Sequence, residues 1–202
     1  MNNLKLGKLR SDLESILKSC PIETDSGESS SELNPPITES ELIEFEAKHE
    51  ITLPSDYREF LLSIANGCIG PVGGIEKLGQ FGGCDWENSD TIGIGKLNRR
   101  FPYSDSWNSK PLDDSFSNDE QQQRYLWYFG ESHVDGAIPI CDLGCGLRQL
   151  MIVSGPERGT IWFDDRVDWM GLYPESSHSQ ARVSFIEWYQ DWVNNKLSEL
   201  QL

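Results

Sequence analysis

The sequence predicts an α+β fold, with a twisted, mostly antiparallel sheet flanked by amino-terminal helices and a carboxy-terminal aromatic helix. Three observations predict it. Two amphipathic segments with sharp helix-start signals come early, a Gly- and Pro-punctuated stretch of short apolar runs fills the middle, and a third amphipathic segment closes the chain. Helices first, strands next and a helix last argue against alternating βα units.

The first element spans residues 4–18, where Leu6, Leu9, Leu13, Ile16 and Leu17 fall on one side of a helix. Between Pro21 and Pro36 the composition turns to Ser, Glu, Asp, Pro and Gly, which buries little apolar surface and reads as a flexible connection. Residues 1–35 are therefore expected to be an appended helix and linker, with the main domain over residues 36–202.

Thr38 and Glu41 have capping-box spacing, and Ile37 with Leu42 has that of a hydrophobic staple, so a helix is predicted to begin near Glu39. Pro54 suits a first helical position. Tyr57, Phe60, Leu61 and Ile64 follow at i, i+3, i+4 and i+7, giving a second helix to about Ala65, with Asn66-Gly67 as a left-handed terminus.

From Gly67 to Thr160 the runs Thr91-Ile94, Ala137-Ile140 and Leu150-Val153 read as strands, as does Thr160-Phe163. Gly155-Pro156-Glu157-Arg158-Gly159 supplies a hairpin turn between the last two. The polar interval from Tyr103 to Arg124 leaves a short helix and a long excursion both open. Ser184 and Glu187 repeat the capping box, and Val183 and Trp188 repeat the staple. They predict a final helix from near Phe185 that carries Trp188, Tyr189, Trp192, Val193 and Leu197 on its apolar side.

Composition narrows the function. The chain has 202 residues, 33 acidic against 17 basic, for a net charge of −16, with 37% hydrophobic and 10% aromatic residues. A chain this long buries about two thirds of its unfolded surface and needs no staples to fold. The acidity repels phosphate backbones and anionic lipid, so nucleic acid and membranes are not expected as direct ligands, whereas a basic protein is attracted. Acidity can equally serve solubility alone. The sequence has no apolar run long enough to span a bilayer, no secretory signal, and five irregularly spaced cysteines. A reduced, cytoplasmic protein is the default expectation.

Motifs for catalysis are incomplete. Ser154-Gly155 lacks the upstream glycine of a nucleophile elbow, Gly93-Ile94-Gly95 lacks the third glycine of a dinucleotide fingerprint, and Gly95-Lys96 is followed by Leu97 rather than Ser or Thr. Cys84, Cys141, Cys145 and His133 would offer zinc only one close thiolate pair, so buried thiols are the simpler reading. Asp164, Asp165 and Asp168 would suit a divalent cation or acid–base work, or serve as turn charges. Positions 164 and 165 of an extended strand point to opposite sides. Neither an enzyme nor a metal or other cofactor is expected. His49 falls at a helix end, while His133 and His178 fall in polar loops near Asp135 and Glu175.

The run Leu53-Pro54-Ser55-Asp56-Tyr57-Arg58-Glu59-Phe60-Leu61-Leu62 with Asn66-Gly67, together with the helix from Ile37 to Phe45, resembles the amino-terminal signature of the SUKH superfamily of Smi/Knr-like proteins. Ile138 to Gly146 continuing through Gly155 to Trp162, and the aromatic helix Phe185 to Trp192, resemble its later segments, so the likeness covers roughly residues 36–196. The resemblance implies a helix-flanked antiparallel sheet and a binding protein. Bacterial members are immunity proteins that neutralise a cognate toxin, often a nuclease, and fungal relatives are regulatory interaction proteins. An acidic inhibitor suits a basic nuclease surface. The expected contact face is Asp142, Asp164, Asp165 and Asp168 as steering or pairing carboxylates, with Trp162 and Trp169 as anchors. The alternative is that Trp162 is a core residue and the carboxylates are ordinary loop charges. The family supplies no catalytic residue. The regulatory or scaffolding role remains the alternative to immunity.

Overall fold

A computed structural model describes residues 3–20, 22–23, 29–30, 33–82, 84–85, 93–109, 117–176 and 181–201. Its elements, in chain order, are α1 (Asn3–Ser19), β1 (Ile22–Glu23), β2 (Ser29–Ser30), α2 (Glu39–Lys48), α3 (Ser55–Ser63), β3 (Gln80–Phe81), β4 (Cys84–Asp85), α4 (Asn118–Tyr128), β5 (Ala137–Gly144), β6 (Leu147–Ile152), β7 (Ile161–Asp165), β8 (Gly171–Pro174) and α5 (Phe185–Leu200). A 3₁₀ turn over Glu131–Val134 leads into β5. The fold is α+β, as expected. Among the described residues no helix is long and apolar enough to cross a membrane.

Helix α1 corrects the expectation of an appendage. Leu6, Leu9, Leu13 and Ile16 lie in the same buried cluster as Tyr57, Phe60, Phe185 and Tyr189, and Leu17 is fully buried. An isolated helix of this length is marginal in water, whereas burying one Leu or Ile side chain is worth about 1.5–3 kcal/mol, so docking against α5 decides its position. The connection after it carries a short antiparallel pairing of β1 with β2. Beyond that, the amides of Ile37 and Asn66 bond the carbonyls of Leu61 and Pro35, tying the chain to α3.

The capping boxes of α2 and α5 form as expected. Pro54 is the residue before α3 rather than its first helical one. Gly67 is left-handed (φ 79°) but stands beyond the helix end, where a Cβ would sit 3.0 Å from the Ile75 carbonyl oxygen. Phe60 meets Phe185 and Tyr189 edge-on at 5.1 and 5.4 Å, which joins α3 to α5.

Strands β5–β6–β7–β8 form an antiparallel sheet in chain order, with irregular register between Pro139 and Cys141 and between Asp142 and Gly144. Ile138, Met151 and Ile161 pack toward the helices. On the opposite face Ala137, Leu150, Ile152, Trp162 and Leu172 form a second core with Phe101 and Val134, covered by Tyr103 and Trp107. Trp107 and Leu172 exchange backbone bonds of 2.7 and 2.8 Å, covering part of the β8 edge, and Pro174 has no amide to offer there. Of the expected strand Thr91-Ile94, positions 91 and 92 lie outside the described residues and Gly93-Ile94 are irregular.

Candidate partner-binding face

Alternation along β7 sorts the expected contact residues. Ile161, Phe163 and Asp165 share one face, and Trp162 and Asp164 share the other. Trp162 is fully buried, edge-on to Phe101 at 4.8 Å, and its indole N–H donates to Thr160 Oγ1. Asp164 is 3% exposed. It accepts from Arg148 Nε at 2.9 Å and from Arg166 Nε and Nη2 at 2.7 Å each. Burial alone would raise its pKa, but the bonds and charges of Arg166 and Arg148 outweigh burial and hold it below the ordinary carboxylate range. Neither side chain reaches the surface, so both are withdrawn from the contact face.

This buried trio also positions what does reach the surface. Arg166 Nη1 donates to the carbonyls of Tyr128 and Gly130, pinning the end of α4, and Arg148 Nη2 donates to the Gly93 carbonyl. Helix α4 settles the interval left open in the sequence, and its start signal was present: Ser117 and Glu120 form a capping box. Its last turns expose Tyr125 (48%), Leu126 (64%) and Trp127 (51%). The residues of that patch were not among the expected contacts, because the polar composition of the interval masks them.

The β7–β8 turn completes the patch. Trp169, left-handed at φ 61°, packs against Tyr125, Tyr128 and Phe129 with ring centroids 6.0, 5.4 and 5.6 Å away, while its carbonyl accepts from Asn108 Nδ2. Val167, Asp168 and Met170 beside it are exposed. The β5–β6 turn lies alongside, where a Cβ on Gly146 would meet the Val167 side chain at 3.5 Å. Asp142, half-buried on β5, turns a carboxylate oxygen to the Gly144 amide at 2.8 Å. The structure therefore groups Trp169 of the β7–β8 turn, with the exposed Asp168 and Met170 on either side of it in the chain, against Tyr125, Tyr128 and Phe129 of the α4 end, turns Trp127 toward Trp107 and His133, and leaves Asp165 on the face of β7 opposite Asp164.

Beneath α4 lies His133, which is buried rather than in an open polar loop. Its Nε2 bonds the Trp127 carbonyl at 2.9 Å and its Nδ1 bonds the Tyr103 hydroxyl at 2.5 Å, with the ring stacked on Trp107 at 4.3 Å. A carbonyl only accepts, so Nε2 carries the proton and Nδ1 accepts from Tyr103. Burial and the nearby Arg166 charge lower its pKa.

The zinc candidates do not assemble among the groups described. Cys141 is buried with its thiol toward the Pro71 carbonyl, Cys145 is exposed in the β5–β6 turn, and His133 has both nitrogens engaged. The Cys84 side chain and His178 lie outside the described residues. Among the described residues no group of three or more His, Cys, Asp and Glu is placed to hold a metal ion.

Compared with protein families, the chain matches the model of the SMI1 / KNR4 family (SUKH-1) over residues 36–190. Curated proteins and solved structures give no match.

Proposed function

The chain belongs to the SMI1 / KNR4 family (SUKH-1), and on that premise we propose that it is a non-catalytic immunity protein that binds a cognate bacterial toxin, a basic nuclease, and neutralises it. The observation that carries this reading is the exposure of Tyr125, Leu126 and Trp127 in the last turns of α4, where Tyr125 packs on Trp169 of the β7–β8 turn beside the exposed Met170. Such residues are the usual energetic centres of interfaces. Asp119 and Glu120 in α4, Glu131 just after it and Asp168 in the β7–β8 turn outnumber Arg124, the basic residue of α4, and the net charge of −16 adds a long-range pull on a basic partner. Binding on this surface asks for no reacting group. Function follows from covering the partner with a preorganised face, whose shape the Asp164–Arg148–Arg166 network maintains.

Co-expression with the toxin encoded beside this protein's gene tests the proposal. Cells producing both are expected to survive, and the purified proteins to form a one-to-one complex that Leu126→Glu weakens. Equal killing with and without this protein, and no association, would refute it. Protection absent but a resident cellular protein held on the same face would favour the regulatory role instead.

A further inference from the structure

A cavity of about 380 Å³ opens between the end of α1, the turn from Cys68 to Gly74 and the second half of α5. Ile16 and the exposed Cys20 line it from the α1 side, and Trp192 and Lys196, one turn apart on α5, line it from the other. It shares no residue with the α4 patch. Its volume is at the small end of the range of about 300–1,000 Å³ for ligand sites, which suits a molecule of one or two rings.

The wall made by the turn is fixed by its own bonds. Cys68 and Ile75 exchange backbone bonds of 3.1 and 2.6 Å, the Gly74 amide donates to the Pro71 carbonyl at 2.9 Å, and the Cys141 thiol donates to the same carbonyl at 3.2 Å. Val72 at the tip is left-handed (φ 46°) and 78% exposed. A β-branched residue is an outlier in that region, and such a conformation persists where surrounding structure dictates it. The wall is thus set before anything binds.

The groups on the walls define a ligand. The chain has 33 acidic residues, yet none of the described residues lining the cavity is acidic, and Lys196 is the charged one. Lys196 Nζ meets Glu199 Oε2 at 3.1 Å, a surface pair that contributes little and exchanges readily for another carboxylate. Among the described residues no group accepts from the amides of Gly70, Val72 or Gly73, so the turn has donors to spare. Trp192 is partly buried and stacks on Tyr189, with centroids 5.7 Å apart and planes 6° apart. A flat ring entering the cavity extends that stack.

We infer that the cavity is a binding site for a small planar aromatic carboxylate. The ring continues the Tyr189–Trp192 pair, and the carboxylate pairs with the Lys196 ammonium, with the unpaired amides of the turn as further donors. The site is independent of the immunity reading.

Alkylation of the full-length protein with iodoacetamide, with and without 2-naphthoate, tests this when Cys20 and Cys145 are followed by peptide mass mapping. Both thiols are exposed, and of the two Cys20 alone lines the cavity. Saturating 2-naphthoate is expected to slow Cys20 at least fivefold and to leave Cys145 unchanged, while the Trp192 indole N–H signal shifts saturably in NMR. The neutral 2-naphthamide should bind at least fivefold more weakly, as should cyclohexanecarboxylate, which keeps the charge without the flat ring. Lys196→Gln should weaken 2-naphthoate at least fivefold and leave 2-naphthamide unchanged. Equal slowing of the two cysteines, equal binding of the acid and its amide, or shifts that spare Trp192 would overturn the site. Protection against a toxin enters none of these readouts, so the two readings fail separately.

Discussion

Asp164 and Asp165 are neighbours in the chain whose carboxylates face opposite sides of the sheet. Asp164 accepts three bonds from Arg148 and Arg166, and Asp165 accepts one from Tyr173. One strand thus supplies a buried carboxylate on one face and a half-buried one on the other, and different experiments distinguish them.

Asp164→Asn is expected to destabilise the fold by about 3 kcal/mol or more, because it leaves two buried arginines without their counter-charge. The Arg166 bonds to the end of α4 would loosen with it. Asp168→Asn, at an exposed turn position, should stay within about 0.5 kcal/mol of wild type. Urea unfolding of the two variants side by side checks this, and equal midpoints would contradict it.

Leu126→Glu should leave stability within about 0.5 kcal/mol of wild type, since the side chain is 64% exposed, yet reduce toxin affinity at least tenfold, about 1.4 kcal/mol. Trp162→Ala should behave in the opposite way, costing about 3–5 kcal/mol of stability with no loss of affinity per folded molecule. Paired melting curves and calorimetric titrations separate surface from core.

Leu13→Ala in α1 is expected to cost about 2–5 kcal/mol, the usual range for emptying a buried leucine site, because Leu13 is fully buried in the core shared with α3 and α5. Removal of residues 1–20 should expose that core and lower the melting temperature sharply. If the truncated chain melts like the whole one, α1 is an appendage after all.

Acidification should weaken the protein through His133. Its folded pKa is lowered from the ordinary 6.5, so its contribution to stability is complete above 6.5 and is lost as pH falls through the folded value. Protonation would set a second donor against the Tyr103 hydroxyl that now donates to Nδ1. NMR titration should place the His133 midpoint below 6.5, and His133→Asn should flatten the fall in urea midpoint over that window. A midpoint above 6.5 would contradict the assignment.

Several elements were legible because their causes are local. Capping boxes at Thr38–Glu41 and Ser184–Glu187, the i, i+3, i+4, i+7 apolar set from Tyr57 to Ile64, and the Gly155–Gly159 turn each act within a few residues, and the helices and hairpin stand where those signals place them. The same kind of signal at Ser117–Glu120 marked α4 but was hidden in a polar interval. The opposed directions of positions 164 and 165 also follow from strand geometry alone. Strand β8 was not anticipated, because Gly171–Pro174 is short and its pairing with β7 is a tertiary event.

The sequence by itself determined the order and type of the main elements, the sign of the protein's field and the family signature, all of which depend on neighbouring residues or on totals. Only the tertiary structure decided that α1 joins the core, that Trp162 and Asp164 are interior, and that Tyr125, Leu126 and Trp127 stand at the surface, with Tyr125 against Trp169. Burial depends on what arrives from distant parts of the chain. A tryptophan or an aspartate carries no local mark that tells a covered face of a sheet from an open one.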